Sequence, residues 1–355
     1  MTGEPVVTSP AQRRVLTDVL GWGRPRPLVP DGVVGALRTR LEDGLGAIGA
    51  PLGRLAATQR GGRIVVSRSL LQRAVCDGWL LAPEPYVHTP VNGRGVLGRA
   101  AILADLAEGQ RHDPAEVVAA QWRRLATDRP GDPRSLAAWL NATEATVRTA
   151  LRREVADLVA GVREVWPVLP ADRVRLVPEL THRIALLGGT VELVATADLT
   201  VASPISDDRA RQLVIDLRTG QPRAPLDRLA ARFAALCATL ADGVPPFRWS
   251  TFYVTEGRFV SEDLRAGERS VDDSGGPALD RSDDPTGPAD DAGVTGSGED
   301  PLGGAVERIV ATVAALVALE GLDAEAPAAD LRLAAGPWCA SCRRRVDCPV
   351  AAVGA

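Results

Sequence analysis

The chain has 355 residues, of which 45% are apolar and 24% charged. That is enough apolar side chain to bury a sizeable core, and it excludes a wholly disordered or collagen-like polymer. The net charge of −4 hides an asymmetry: residues 265–303 carry −7, so the remainder is mildly basic at +3. This balance permits a nucleic-acid partner without requiring one. All 41 basic residues are arginine, so no lysine is available anywhere for catalysis. The N-terminal MTGEPVVTSPAQRR lacks the basic-then-apolar order of a secretory signal, and no uninterrupted run of about 18 apolar residues predicts a membrane span. A cytoplasmic protein without a membrane partner is expected.

In chain order, residues 1–62 predict a helical region with a Gly/Pro-rich stretch at Gly23–Pro30. Arg63–Val66 reads as a short strand. Ser67 or Ser69 can then cap a helix over Leu70–Leu81 that carries Cys76. Gly95–Glu108 predicts an amphipathic helix, and residues 110–166 a helical insertion. Within it, SLAAWLNATEATVRTALRREV has a helix-turn-helix outline, with a helix pair packed on the core as the simpler reading. Arg173–Leu187 predicts a strand containing Glu179 and His182.

The next stretch, Val191–Gly220, reads VELVATADLTVASPISDDRARQLVIDLRTG. It predicts a strand over Val191–Val201 and another over Gln212–Leu217. Asp198 lies at the end of the first apolar run and Asp216 near the end of the second. Carboxylates so placed on neighbouring strands repel unless a cation lies between them, and a hard divalent ion suits that position. Leu226–Leu240 follows as a helix with Leu229, Phe233, Leu236, Cys237 and Leu240 on one face. Phe247–Val254 reads as an edge or closing strand. Residues 265–303 are acidic and rich in Gly, Pro, Ser and Asp, a composition that predicts disorder. They act either as a passive linker or as an acidic flap over an arginine-lined groove. A helix over Ala305–Leu319 precedes the C-terminal GPWCASCRRRVDCPV.

Cys339, Cys342 and Cys348 form C-x2-C-x5-C, a spacing that turns thiolates toward one soft metal centre. Three local thiolates leave such a centre one ligand short, and Cys76 can supply the fourth. Zinc and free thiols are alternatives. Cys237, on an apolar helix face, is expected to be an inert buried thiol.

The motifs together resemble the RecB-like branch of the PD-(D/E)XK nucleases, whose pattern is G-x-x-D on one strand, D-x-K-T-G on the next, then a helix with Q-x-x-x-Y. Asp198 and Asp216 match the acids, and Thr219 and Gly220 the T-G. Ala195 stands at the glycine position, Arg218 at the lysine, Leu229 at the glutamine and Phe233 at the tyrosine. VSRSLLQRAVCDGW is similar to the family's N-terminal S-x-S-x-L segment with its cysteine, and Gly95 with Arg99 falls in the register of G-x-x-x-H. The cysteine layout is similar to that of iron–sulfur members, namely AddB-type helicase–nuclease subunits and CRISPR-associated exonucleases.

The resemblance implies an α/β, restriction-endonuclease-like mixed sheet flanked by helices. It implies a nuclease core over 63–264 and a C-terminal cysteine region over 304–355. It further implies magnesium or manganese at Asp198 and Asp216, Arg218 and Glu179 as further catalytic-site groups, and a [4Fe-4S] cluster on Cys76, Cys339, Cys342 and Cys348. The implied partner is DNA, single-stranded or at duplex ends, with a helicase or other repair or defence subunit. Arg218 cannot act as a base, since its pKa is far too high, so a catalytically impaired DNA-binding protein is expected. The alternatives are an active metal-dependent nuclease using Asp198, Asp216 and Arg218, and a protein-interaction scaffold that does not bind DNA.

Overall fold

A computed structural model describes residues 4–23, 29, 31–83, 87–128, 132, 135–202, 212–263, 300–322 and 326–351. Most of the acidic stretch expected to be disordered lies outside them. Its last residues do not: Asp300 accepts the Leu302 N–H at 3.1 Å and caps a helix that begins at Pro301, earlier than Ala305.

The described elements are α1 (Pro10–Arg14, continued by one π-turn), α2 (Val33–Gly46), α3 (Ala50–Thr58), β1 (Ile64–Ser67), α4 (Arg68–Arg73), α5 (Asp77–Leu81) and α6 (Pro90–Ala107). Then come α7 (Pro114–Ala126), α8 (Leu136–Ala142), α9 (Ala145–Val165), β2 (Arg175–Leu186), β3 (Val191–Ala202) and β4 (Leu213–Arg218). The last four are α10 (Ala224–Asp242), β5 (Arg248–Tyr253), β6 (Arg258–Asp263) and α11 (Pro301–Ala318).

The six strands form one mixed sheet, ordered β1-β3-β4-β5-β6, with β2 also on β3. β2 pairs antiparallel along the whole of β3, from Arg175–Ala202 to Leu186–Val191. The other edge of β3 is therefore shared. β1 runs parallel to Val191–Val194 and β4 runs antiparallel to Leu199–Val201, leaving residues 195–198 as a notch between them. β4 and β5 are parallel and joined through α10, while β6 closes the far edge. β5 was expected to be an edge or closing strand. It is internal, because Arg258–Asp263 adds one strand more. The alternation in RFVSED is too weakly apolar to mark that strand.

Two apolar cores flank the sheet. The first joins α2, α3, α4, α10 and α11 to Val191, Leu193, Ala195 and Ala197 of β3. The second joins α6, α7 and α9 to Leu199 and Val201 of the same strand. The β2–β3 hairpin thus passes from one core to the other at Asp198. There Glu179, opposite in register, drops out of the ladder with a positive φ of 51°. The helix-turn-helix outline becomes α8 and α9, and α9 buries Leu151, Val155, Val159 and Val162 in the second core.

Among the described residues, α11 is long and apolar enough to cross a membrane by length and composition. In the fold, Leu302, Val306, Ile309 and Val313 are buried in the first core. Each such side chain contributes about 1.5–3 kcal/mol relative to exposure. The helix expected over Leu70–Leu81 is broken: α4 ends at Arg73, and Cys76 is extended (φ −147°, ψ 123°) before α5 starts.

Where the helical insertion meets α6, Asp105 of α6 is 1% exposed and accepts from Arg163 of α9, Nε at 2.9 Å and Nη2 at 2.5 Å. Removing one partner of such a pair strands the other charge. Asp105→Ala is expected to cost about 2–4 kcal/mol, less than a fully buried pair because Arg163 reaches solvent. A chemical-denaturation midpoint equal to that of wild type would contradict this.

Candidate functional site: an acid row filled by arginines

The strand register aligns three acids. Pro178 and Leu180 pair with Leu199 and Ala197, so Glu179 stands opposite Asp198. Leu199 pairs with Ile215, and one step further Asp198 stands opposite Asp216. Directly opposed residues on antiparallel strands share a face with Cβ atoms about 4.5–5.5 Å apart. Asp198 and Asp216 are nearly inaccessible, at 1% and 4%, whereas Glu179 is exposed. The β3–β4 ladder stops at Leu199–Ile215, and Asp198 Oδ2 accepts the next inward-facing amide, Leu217 N–H, at 2.8 Å.

Three guanidinium groups converge on this row. Arg68, the first residue of α4, donates from Nη1 to Asp216 Oδ1, and its Nη2 lies 3.8 Å from Asp198 Oδ1. Arg99 of α6 donates to Asp198 Oδ1 at 3.1 Å and stands 3.9 Å from Glu179 Oε1. Arg218 at the end of β4 places Nη2 2.6 Å from Asp216 Oδ2 and Nε 3.1 Å from Asp227 Oδ1. These Arg218 contacts are ion pairs without hydrogen-bond alignment. Asp227, in the first turn of α10, is held by the Arg223 N–H at 2.8 Å and the Tyr253 hydroxyl at 3.3 Å.

Local structure accounts for each position. Ser67 Oγ accepts the Leu70 N–H at 3.3 Å, turning the chain out of β1 into α4 with Arg68 at the notch. α6 begins with a reciprocal cap between Thr89 and Asn92. It then lies close on the Thr219–Gly220 turn: a Cβ at Gly95 would stand 3.2 Å from Thr219 Oγ1. That approach carries Arg99 over Asp198.

The structure therefore brings Asp198, Asp216, Arg218, Arg99 and the rim residue Glu179 together. Leu229 and Phe233 pack in the first core. His182 is buried on β2, with burial lowering its pKa. Sequence reasoning missed Arg68 and Asp227. The signals were an arginine between the serines of VSRSL and an acid in the first turn after the T-G, and neither residue belongs to the motif.

Three of the four oxygens of the Asp198 and Asp216 carboxylates accept hydrogen bonds, from Arg99, the Leu217 amide and Arg68, while the fourth, Asp216 Oδ2, is buried without a hydrogen bond and faces Arg218 Nη2 at 2.6 Å as an ion pair. Magnesium requires near-octahedral oxygen ligands and retained water. This donor set does not fit it, and among the described residues no group of three or more His, Cys, Asp or Glu is arranged to hold a metal.

The cysteines lie elsewhere. Cys76 and Cys342 share a small apolar cluster with Trp79 and Leu226, and Trp79 stacks on Trp338 with ring centroids 6.3 Å apart. Arg332 binds Asp77 through its backbone N–H at 2.8 Å and its guanidinium at 3.0 Å, and Arg343 N–H donates to Ala82 O at 3.1 Å. These contacts fasten the C-terminal segment to α5. Burial raises the Cys342 thiol, and Cys76, Cys348 and Cys339 all lie within electrostatic reach of it. The thiols are free and, among the described residues, not drawn together into a ligand shell; four thiols are the donor chemistry a soft metal centre takes. Cys237 is fully buried in the first core, its thiol pushed up by burial.

Neither the family models nor the curated proteins contain a match to this sequence.

Burial, and then the neighbouring Asp216, raise the Asp198 carboxyl from 3.8 to about 7. Between those values the folded chain keeps a proton that the unfolded chain has lost. The group's contribution to stability is therefore present at low pH and lost as pH rises through about 7. Asp198→Asn cannot ionise, and from about pH 5 to pH 8 it is expected to lose less stability than wild type. The difference is a few kcal/mol at most. Parallel urea-denaturation curves across that range would refute the raised value.

Proposed function

We propose that this chain is a DNA-binding protein of the RecB-like PD-(D/E)XK type in which arginine–carboxylate pairs have replaced the hydrolytic metal centre. The observation that carries the reading is the convergence of Arg68, Arg99 and Arg218 on the Asp198 and Asp216 carboxylates, three of whose four oxygens accept hydrogen bonds from Arg68, Arg99 and the Leu217 amide while Arg218 pairs with the fourth. Phosphodiester hydrolysis of this type needs a metal, an activated water and charge stabilisation on the phosphate. Arginine supplies only the last. Further support comes from the placement of the two acids on consecutive strands of a mixed sheet, followed by a helix.

The substrate class is single-stranded DNA or duplex ends, in repair, recombination or defence against phage and plasmids, with a helicase or related subunit as partner. Cys76, Cys339, Cys342 and Cys348 would hold a [4Fe-4S] cluster, which cross-links the segment before α5 to the C-terminal tail. Five free thiols suit a reducing, cytoplasmic setting.

The test is cleavage and binding on the same DNA. Wild-type protein with magnesium or manganese is expected to leave single- and double-stranded DNA intact. It should bind DNA with an affinity that falls linearly on a log–log salt plot. Cleavage that Asp216→Ala abolishes would overturn the inactive-site reading, and absence of binding at any salt would overturn the DNA reading.

The iron expectation has its own measurement. Protein purified without oxygen should be brown, absorbing near about 400 nm. Serine at Cys76, Cys339, Cys342 or Cys348 should bleach it, while Cys237→Ser should not. A colourless protein with stoichiometric zinc would exclude the iron cluster.

A further inference from the structure

The three arginines are not equivalent. Arg99 divides its charge between Asp198 and the exposed Glu179. Arg218 divides its charge between Asp216 and the buried Asp227. Arg68 alone reaches across, with one nitrogen on Asp216 and the other facing Asp198. It also comes from a different direction. β1 ends at Ser67 beside Val194, and β4 begins its pairing only at Leu199. Arg68 thus stands at the notch that the split edge of β3 leaves. It is three-quarters buried, and although burial works against its charge, Asp216 and Asp198 outweigh that and raise its pKa. Its cationic form is therefore permanent.

We propose that Arg68 is the resident cation of the acid pair: its guanidinium takes the position a divalent ion would occupy, and it is the group that bars such an ion. The inference rests on reading this site as one in which arginine has displaced the metal. Withdrawing Arg68 frees Asp216 Oδ1, beside an Asp216 Oδ2 that already lacks a hydrogen bond, and removes the charge that bridges the two carboxylates, which leaves a place for a hard cation. Arg99 and Arg218 do not bridge that gap, since each touches only one of the two carboxylates and is shared with a second acid, Glu179 or Asp227.

The experiment uses the full chain and reads divalent-ion binding rather than cleavage. Arg68→Ala, Arg99→Ala and Arg218→Ala are compared with wild type by thermal unfolding in chelator and in millimolar manganese, and by manganese titration calorimetry. Arg68→Ala is expected to melt below wild type in chelator, because two buried carboxylates then face each other. Manganese should raise its Tm by about 5 °C or more. Wild type, Arg99→Ala and Arg218→Ala should not respond.

A folded Arg68→Ala without a manganese response overturns the proposal, and so does an equal response from Arg99→Ala or Arg218→Ala. Where Arg68→Ala does not fold, Arg68→Ala/Asp216→Asn decides. Recovery of a folded, manganese-silent protein supports a charge role for Arg68, and failure to fold shows that its packing mattered instead. DNA binding is followed in parallel. Its loss in wild type would sink the functional reading, while the manganese result would still stand or fall by itself.

Discussion

Two buried carboxylates on adjacent strands set the terms for the rest of this molecule. Asp198 and Asp216 face each other across β3 and β4, both nearly inaccessible. In a low-dielectric interior such a pair is tolerated only with compensating positive charge or by holding a proton. Both remedies are present: the Asp198 carboxyl is raised, and three guanidiniums surround the row. Those guanidiniums come from the start of α4, the middle of α6 and the end of β4. Meeting the charge requirement thereby ties both cores to the sheet at the point where the hairpin passes between them. Removing one cation would break a contact that spans distant parts of the chain, so its cost exceeds that of an exposed ion pair.

How much of this was legible in sequence depends on range. The strands around Asp198 and Asp216 were readable because β-branched and apolar residues alternate and turn residues bound them. The two acids stood out for the same reason, as carboxylates at the ends of apolar runs. Arg68 was not readable. Its role depends on β1 joining β3 more than 120 residues later in the chain and stopping short of β4, and no local pattern encodes where a shared strand edge leaves a gap. The alignment of Glu179 with Asp198 likewise needs the register of the hairpin. The break between α4 and α5 eluded periodicity because Leu70–Leu81 keeps an apolar face throughout. What interrupts it is tertiary, the docking of Arg332 on Asp77.

A second constraint acts at the other end of the chain. The described C-terminal segment has little regular structure, with short 3₁₀ turns at Ala328–Asp330, Pro337–Ser341 and Arg343–Val346. It is held by the Trp79–Trp338 stack, the Asp77–Arg332 pair, the Arg343–Ala82 backbone hydrogen bond, a bridge between Pro83 and Cys342, and the burial of Leu331 and Cys342. These contacts must offset the segment's ordering entropy. A cross-link through four thiolates would change that balance, since closing a loop of this length is worth about 5 kcal/mol in the disulfide analogy. The extended backbone at Cys76 follows the same logic: a thiol inside a continuous helix would point along α4, and the break lets it meet Cys342 in their common apolar cluster.

The absence of lysine bears on the acid row. A lysine ammonium is a compact point charge that loses its proton readily when buried, whereas a guanidinium stays charged and presents a planar fork. With arginine at positions 68, 99 and 218, the acid row is filled by groups that cannot deprotonate and that engage carboxylate oxygens directly. The groups there that can accept a proton are the carboxylates themselves, three of whose four oxygens already accept hydrogen bonds. The arginines at positions 99 and 218 thus do not act independently. Together with Arg68 they form one electrostatic solution, in which a site built from acids is made stable by cations supplied by the chain.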